Sequence, residues 1–156
     1  MWIHLNPVGG VAGDMFIASL LNAFPELEND MLSMLKKAGT PAEMSIEVRP
    51  YQNHSIGGAK FSVKEIGLDK DRNKTPGNFI DILKFIESTP IDKKVKLIAK
   101  EIFSFVAEAE SAVHRIEIDS ISFHELGEWD SIIDILGASF LIYQLNAVWS
   151  FDPLPL

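Results

Sequence analysis

The 156-residue chain contains no cysteine. That absence removes disulfides, thiolate zinc sites, iron–sulfur clusters and cysteine nucleophiles together, and nothing points to an oxidising compartment. Basic residues are also scarce: 14 Lys plus Arg stand against 22 Asp plus Glu, a formal net charge of −8. No basic stripe is available for a polyanion, so neither nucleic acid nor an anionic membrane is expected as a partner. A long clean hydrophobic run is missing too. The greasiest stretch, Ile132 to Trp149, is broken by Asp134, Gln144 and Asn146 and falls short of the ~20 apolar residues of a membrane span. The first residues lack a basic n-region, and Asn6, Pro7 and Asp14 interrupt them early. A signal peptide is therefore not indicated, and the expected location is cytoplasmic.

What is present is a globular composition, 47% apolar and 23% charged, of a length that suits one domain over residues 1–156. Met1 to Asn6 is a short apolar run stopped by Pro7, as in a buried strand. The glycine loop Val8 to Gly13 leads into a helix-like segment, Asp14 to Phe24, and a second helix is expected from Asn29 to Lys37 with Gly39 as its stop. Met44 to Arg49 and Ala59 to Ile66 alternate apolar and polar residues, the period of half-buried strands, and predict an antiparallel pair. Gly67 to Asn78 is polar, holds Pro76-Gly77, and is expected as a surface loop and candidate hinge or lid.

Apolar residues at Ile91, Val95, Ile98, Ile102, Phe105, Ala109 and Val113 mark a long helix to about His114, with Thr89 as N-cap. A short strand over Ser120 to His124, a helix from Asp130 to Gln144 and a strand from Val148 to Phe151 complete the order β-α-α-β-β-α-α-β-α-β. That order predicts an α/β (α+β) fold: a single layered domain with a mixed β-sheet packed with helices. The close at Phe-Asp-Pro-Leu-Pro-Leu, with no final helix, suggests that more chain once followed.

Two stretches carry candidate chemistry. The first is Gly9-Gly10-Val11-Ala12-Gly13-Asp14, where a glycine loop entering a helix can aim backbone N–H groups at a phosphate. It lacks the G-K-[S/T] ending, and Asp14 puts a negative charge where the phosphate would sit, so a tight turn with Asp14 capping the helix is the plainer account. The second is Phe123 to Asp134, which gathers His124, Glu125, Glu128, Asp130 and Asp134. Imidazole with carboxylates suits Ni²⁺, Zn²⁺, Mn²⁺ or Mg²⁺. In the plainer account Asp130 and Ser131 cap the helix while Glu125 and Glu128 face water. Asp134 resists that account, because Ile132, Ile133, Ile135 and Leu136 surround it. Of the other histidines, His114 suits the negative end of the long helix, His54 a solvated loop, and His4 a strand edge or a hydrogen-bonded interior.

Three motifs taken in order resemble the nickel-insertion proteins of lactate racemase maturation. These are nickel chelatases that load Ni²⁺ into a pyridinium bis-thiocarboxylate mononucleotide pincer cofactor. The family's first loop, D-C-F-S-G-x-S-G-D-M, corresponds to Asn6 through Met15. Its A-E-A-E-x-x-V-H corresponds to Ala107 through His114, and its F-H-E-V-G-x-x-D-x-I-x-D-I-x-G to Phe123 through Gly137. The resemblance implies catalytic roles for Asp14, Asp130 and Asp134, with Gly9, Gly10 and Gly13 against the nucleotide phosphate. It implies metal ligation by His114, His124 and Glu125, with nickel as the ion and Mn or Mg as alternatives. It further implies that His114, His124, Glu125 and Asp130 share one cleft near Asp14. A pincer-type nucleotide or a protein is the implied partner, and a homo-oligomer is an open expectation.

The departures are specific. Asn6-Pro7 stands where the family has Asp-Cys, and Pro76 through Ile82 lacks the family's histidine. The match extends over the family's N-terminal domain and includes no counterpart of its C-terminal domain, which is linked to CTP use and oligomerisation. Two main functions follow: a metal-handling domain of CTP-dependent, lyase-type nickel insertion, or a non-catalytic relative acting as a binding or regulatory module. A nucleotide-binding enzyme unrelated to nickel rests on the glycine loop alone.

Overall fold

The computed structural model describes residues 1–54, 56–66, 76–123 and 128–154. Strand β1 (Trp2–Leu5) leads through the glycine loop to α1 (Gly13–Ala23), a 3-10 turn and α2 (Glu28–Lys37). Strands β2 (Met44–Asn53) and β3 (Ile56–Glu65) follow, then α3 (Phe79–Ser88), α4 (Lys93–His114), a second 3-10 turn, α5 (Trp129–Leu145) and β4 (Val148–Phe151). Pairing is mixed, as expected of the fold class. β1 and β4, from the two ends of the chain, form a parallel ladder, with Trp2 opposite Val148 and Leu5 opposite Phe151. β2 and β3 form an antiparallel hairpin, with Val48 opposite Phe61. The hairpin is longer than the alternation predicts, and Gly57 and Gly58 lie within β3 instead of in the turn.

Helix α5 is the centre of the core. Ile132, Ile133, Leu136 and Leu141 on it are fully buried, and it packs against α1, α2, α4 and β3. Ser139, the buried polar residue of this helix, satisfies itself by donating Oγ–H to the Ile135 carbonyl at 2.6 Å. Gly137 lets α1 come close: a Cβ there would stand 3.1 Å from Ile17 Cδ1. From the other side, Val95, Ala99, Phe103 and Ala107 form the buried stripe of α4; of the apolar positions expected on that face, Val95 alone is buried, and Phe105, Ala109 and Val113 are exposed.

Three local expectations are corrected. Thr89 does not cap the long helix; it closes α3 and donates Oγ1–H to the Ile86 carbonyl. Asp92 caps α4 instead, accepting the Lys94 N–H at 2.7 Å, because Thr89 and Pro90 lie in the turn between the two helices. In place of the strand expected over Ser120 to His124, Ile118–Ser120 form a 3-10 turn and Ser122 makes one bridge to Asn78. The described residues there gain no second ladder partner. The lid expected over Gly67 to Asn78 lies mostly outside the described residues; Asn78 itself caps α3. No described helix is long and apolar enough to cross a membrane.

Candidate functional site

The loop after β1 turns tightly. Gly10 N–H donates to the Pro7 carbonyl at 3.0 Å, and Gly9 and Gly10 have φ of +82° and +104°. Side chains rarely adopt those angles, which is why glycine stands at both positions. The loop delivers the chain to α1, whose N-cap is Ala12, a residue with no side-chain acceptor. The first turn of a helix leaves N–H groups without internal partners. The carboxyl of Asp134, one turn into α5, comes against this first turn, where the Asp14 backbone favours its charged form.

This contact sets the local geometry. A Cβ on Gly13 would stand 2.7 Å from Asp134 Oδ2 and 2.9 Å from its Cβ, so only glycine admits the carboxylate at this distance. Expectations that Asp14 caps α1 and that Asp130 and Ser131 cap α5 are therefore corrected. Asp14 is the second residue of α1 and its Oδ1 accepts the Met15 N–H at 2.8 Å. Asp130 is likewise inside α5, with Oδ1 accepting the Ser131 N–H at 2.8 Å, and the N-cap is Glu128. Both acids lie in the first turn of their helix, where the helix dipole favours a negative charge.

Asp134 is the electrostatic anomaly. Its carboxyl is pushed up to about 7, first by burial and then by the charges of Asp14 and Asp130; the hydrogen bond from the Asp14 backbone opposes the shift. The same carboxyl borders a groove of ≈ 320 Å³ between Val11, Gly13, Phe16, Ile102, Ala138 and Ile142, and among the described residues it is the one ionisable group in that lining. Near neutral pH this carboxyl can therefore exchange a proton for a cation, or donate a hydrogen bond as the neutral acid.

Of the residues singled out in the sequence, Gly13, Asp14 and Asp134 meet directly, and Asp130 acts on Asp134 through its charge. Gly9 and Gly10 lie in the adjoining loop. His114 ends α4 with Nε2 3.1 Å from Glu110 Oε2, an i, i+4 pair on the exposed surface. His124 and Glu125 lie outside the described residues. Among the described residues no group of three His, Asp or Glu side chains is set to hold a metal ion. Sequence reasoning missed that Asp134 lies against the first turn of α1 across the helix pair. The available signal was a lone carboxylate in an apolar run together with a helix start that lacks its own cap.

The family model described as nickel insertion protein matches residues 3–152. A protein named for nickel insertion from Methanocaldococcus jannaschii is 33% identical over 91% of the chain. One from Myxococcus xanthus is 38% identical over 92%. The pyridinium-3,5-bisthiocarboxylic acid mononucleotide nickel insertion protein of Akkermansia muciniphila is 35% identical over 88%. The chain covers 35%, 36% and 34% of the lengths of these three relatives, in that order. No solved structure matches.

Proposed function

The chain belongs to the nickel insertion protein family, and from that premise we propose that these residues form a binding or regulatory module of nickel handling. The divalent ion is its cargo, and a pyridinium-type mononucleotide or a protein carrying one is its partner. The ion is taken at the loop end of α1 and α5, by Asp14, Asp130 and Asp134 with the imidazoles of His114 and His124 and the carboxylate of Glu125. Gly9, Gly10 and Gly13 supply the backbone against the nucleotide.

One observation carries the module reading in preference to insertion chemistry. At the strand–loop–helix junction Asn6 and Pro7 bring neither carboxylate nor thiolate, and Pro7 has no N–H to offer. An ion held there has exchangeable ligands, as transfer of cargo requires, in contrast to a closed structural site.

Calorimetry with Ni²⁺, Mn²⁺ and Zn²⁺ on this chain tests the proposal. Weak binding is expected, weakening further as pH falls through about 7, where Asp134 takes up its proton. Asn6→Asp with Pro7→Cys should raise nickel affinity at least tenfold without enabling transfer to the pyridinium mononucleotide. Transfer by the unmodified chain supplied with CTP would overturn the module reading. It would favour the second reading, insertion itself with Asp14, Asp130 and Asp134 as its acids. That reading draws on Asp134, whose near-neutral carboxyl is poised to trade a proton for a metal ion.

A further inference from the structure

Helix α4 carries two apolar faces and buries one of them. Val95, Ala99, Phe103 and Ala107, four residues apart, face the core. Ile98, Ile102, Phe105, Ala109 and Ala112 recur at alternating steps of four and three, the spacing of a coiled-coil seam. None of these five is buried: Ile98 and Ile102 are half-buried, and Phe105, Ala109 and Ala112 are exposed, Phe105 by 63%. The seam is about 21 Å long, and Leu97 and Val113 widen it on either side, 64% and 76% exposed. It opens toward α5 through a groove of ≈ 720 Å³ between Leu97, Ile98, Ile142, Tyr143 and Trp149. Apolar side chains gathered on one helix face in this way mark a contact surface.

The charges of α4 select the partner. After the Asp92 cap, Lys93, Lys94, Lys96 and Lys100 lie in its first eight residues, and every charged side chain from Glu101 to Glu110 is acidic. That polarity runs against the helix dipole, which favours acids at the start of a helix and bases at its end. The helix gains nothing from it alone. Lys96 and Lys100 are engaged with Glu87 of α3, and Glu110 with His114. Lys94, Glu101 and Glu108 follow one another at seven-residue steps along one flank of the seam, all exposed and without an ion pair among the described residues. Lys94 lies over the Tyr143 ring, 5.7 Å from its centroid. We infer that the seam is the docking surface for a second copy of this chain, with the two α4 helices antiparallel about a two-fold axis. Antiparallel pairing sets Lys94 against Glu108 of the second copy and Glu108 against its Lys94, whereas parallel pairing would set like charges together. It also aligns the two helix dipoles favourably and closes one apolar seam over the other. Its one cost is Glu101, which meets its own counterpart close to the axis. The inference stands on α4 and requires neither the Asp134 carboxyl nor a metal ion.

Sedimentation velocity of this chain from micromolar to millimolar concentration tests it. A reversible monomer–dimer equilibrium is expected. Phe105→Ser should weaken the dimer at least tenfold and leave the circular dichroism unchanged, because this exposed side chain contributes little to the core. Lys94→Glu or Glu108→Lys alone should weaken the dimer several-fold. Both changes in one chain should restore it, since each new charge then faces its opposite. Glu101→Gln should tighten it. Asp134→Asn should leave association unchanged, so failure of the nickel-handling reading and failure of this one are separable. A chain that stays monomeric throughout overturns the proposal, in favour of a cover supplied by the remaining length of the longer relatives. A dimer indifferent to Phe105→Ser, or a charge exchange that does not restore association, overturns it as well.

Discussion

Helices α1 and α5 meet along one seam whose two ends are built on opposite chemistry. At the Gly137 end the missing side chain makes room for hydrocarbon, Ile17 Cδ1 at 3.1 Å and the Met31 sulfur at 3.5 Å from where a Cβ would stand. At the Gly13 end it makes room for the Asp134 carboxylate. Burial of Ile17 and Met31 stabilises the fold, at roughly 25 cal/mol per Å² of apolar surface removed from water. Burial of a carboxylate beside two others opposes it, offset in part by the hydrogen bond to Asp14. The same device, glycine at a helix contact, serves packing at one end and places an ionisable group at the other.

Substitutions at the two ends sharpen the contrast. Gly13→Ala should have the largest effect, a loss of about 1–3 kcal/mol from overpacking, because the new Cβ would meet the Asp134 Cβ at 2.9 Å as well as its oxygen. Urea denaturation at neutral pH reads it directly. Asp134→Asn should act in the other direction and depend on pH. Below the unfolded value near 3.8 both states hold the proton; between there and about 7 the folded chain keeps a proton that the unfolded chain has released. Stability of the parent therefore falls as pH rises through that window, and the penalty is complete above it. The variant should match the parent near pH 4 and exceed it by about 1 kcal/mol above pH 7, a figure reduced for the partial exposure of Asp134. Gly137→Ala should be the mildest. Its nearest neighbour is the movable tip of Ile17, and the gain of roughly 0.5–1 kcal/mol from replacing a mid-helix glycine offsets the crowding. A loss at Gly137 larger than at Gly13 would break the comparison.

Much of this was legible in the sequence, for physical reasons that also mark the limit. The apolar recurrence from Ile91 to Val113 marked α4 as a helix, although the face it buries is Val95, Ala99, Phe103 and Ala107. The alternation in 44–49 and 59–66 gave the hairpin because pleating puts neighbours on opposite faces. Asp134 stood out as a carboxylate that an apolar segment does not tolerate without a reason. What the sequence did not reveal depends on contacts between distant segments. Ala12 looks neutral at a helix start until Asp134 arrives from 122 residues away beside Gly13. Thr89 and Asp92 are both acceptable caps, and the turn between α3 and α4 decides between them.

The central claim is that one carboxyl on α5 lies against the first turn of α1 and holds a proton near neutrality. Carboxyl-detected NMR of Asp134, followed with the amide proton of Asp14 across pH 3 to 9, tests it most directly. Both signals should move together with one midpoint near 7, and added Zn²⁺ should lower that midpoint as the ion competes with the proton. An Asp134 midpoint close to 4, or an Asp14 amide that does not follow it, would contradict the account.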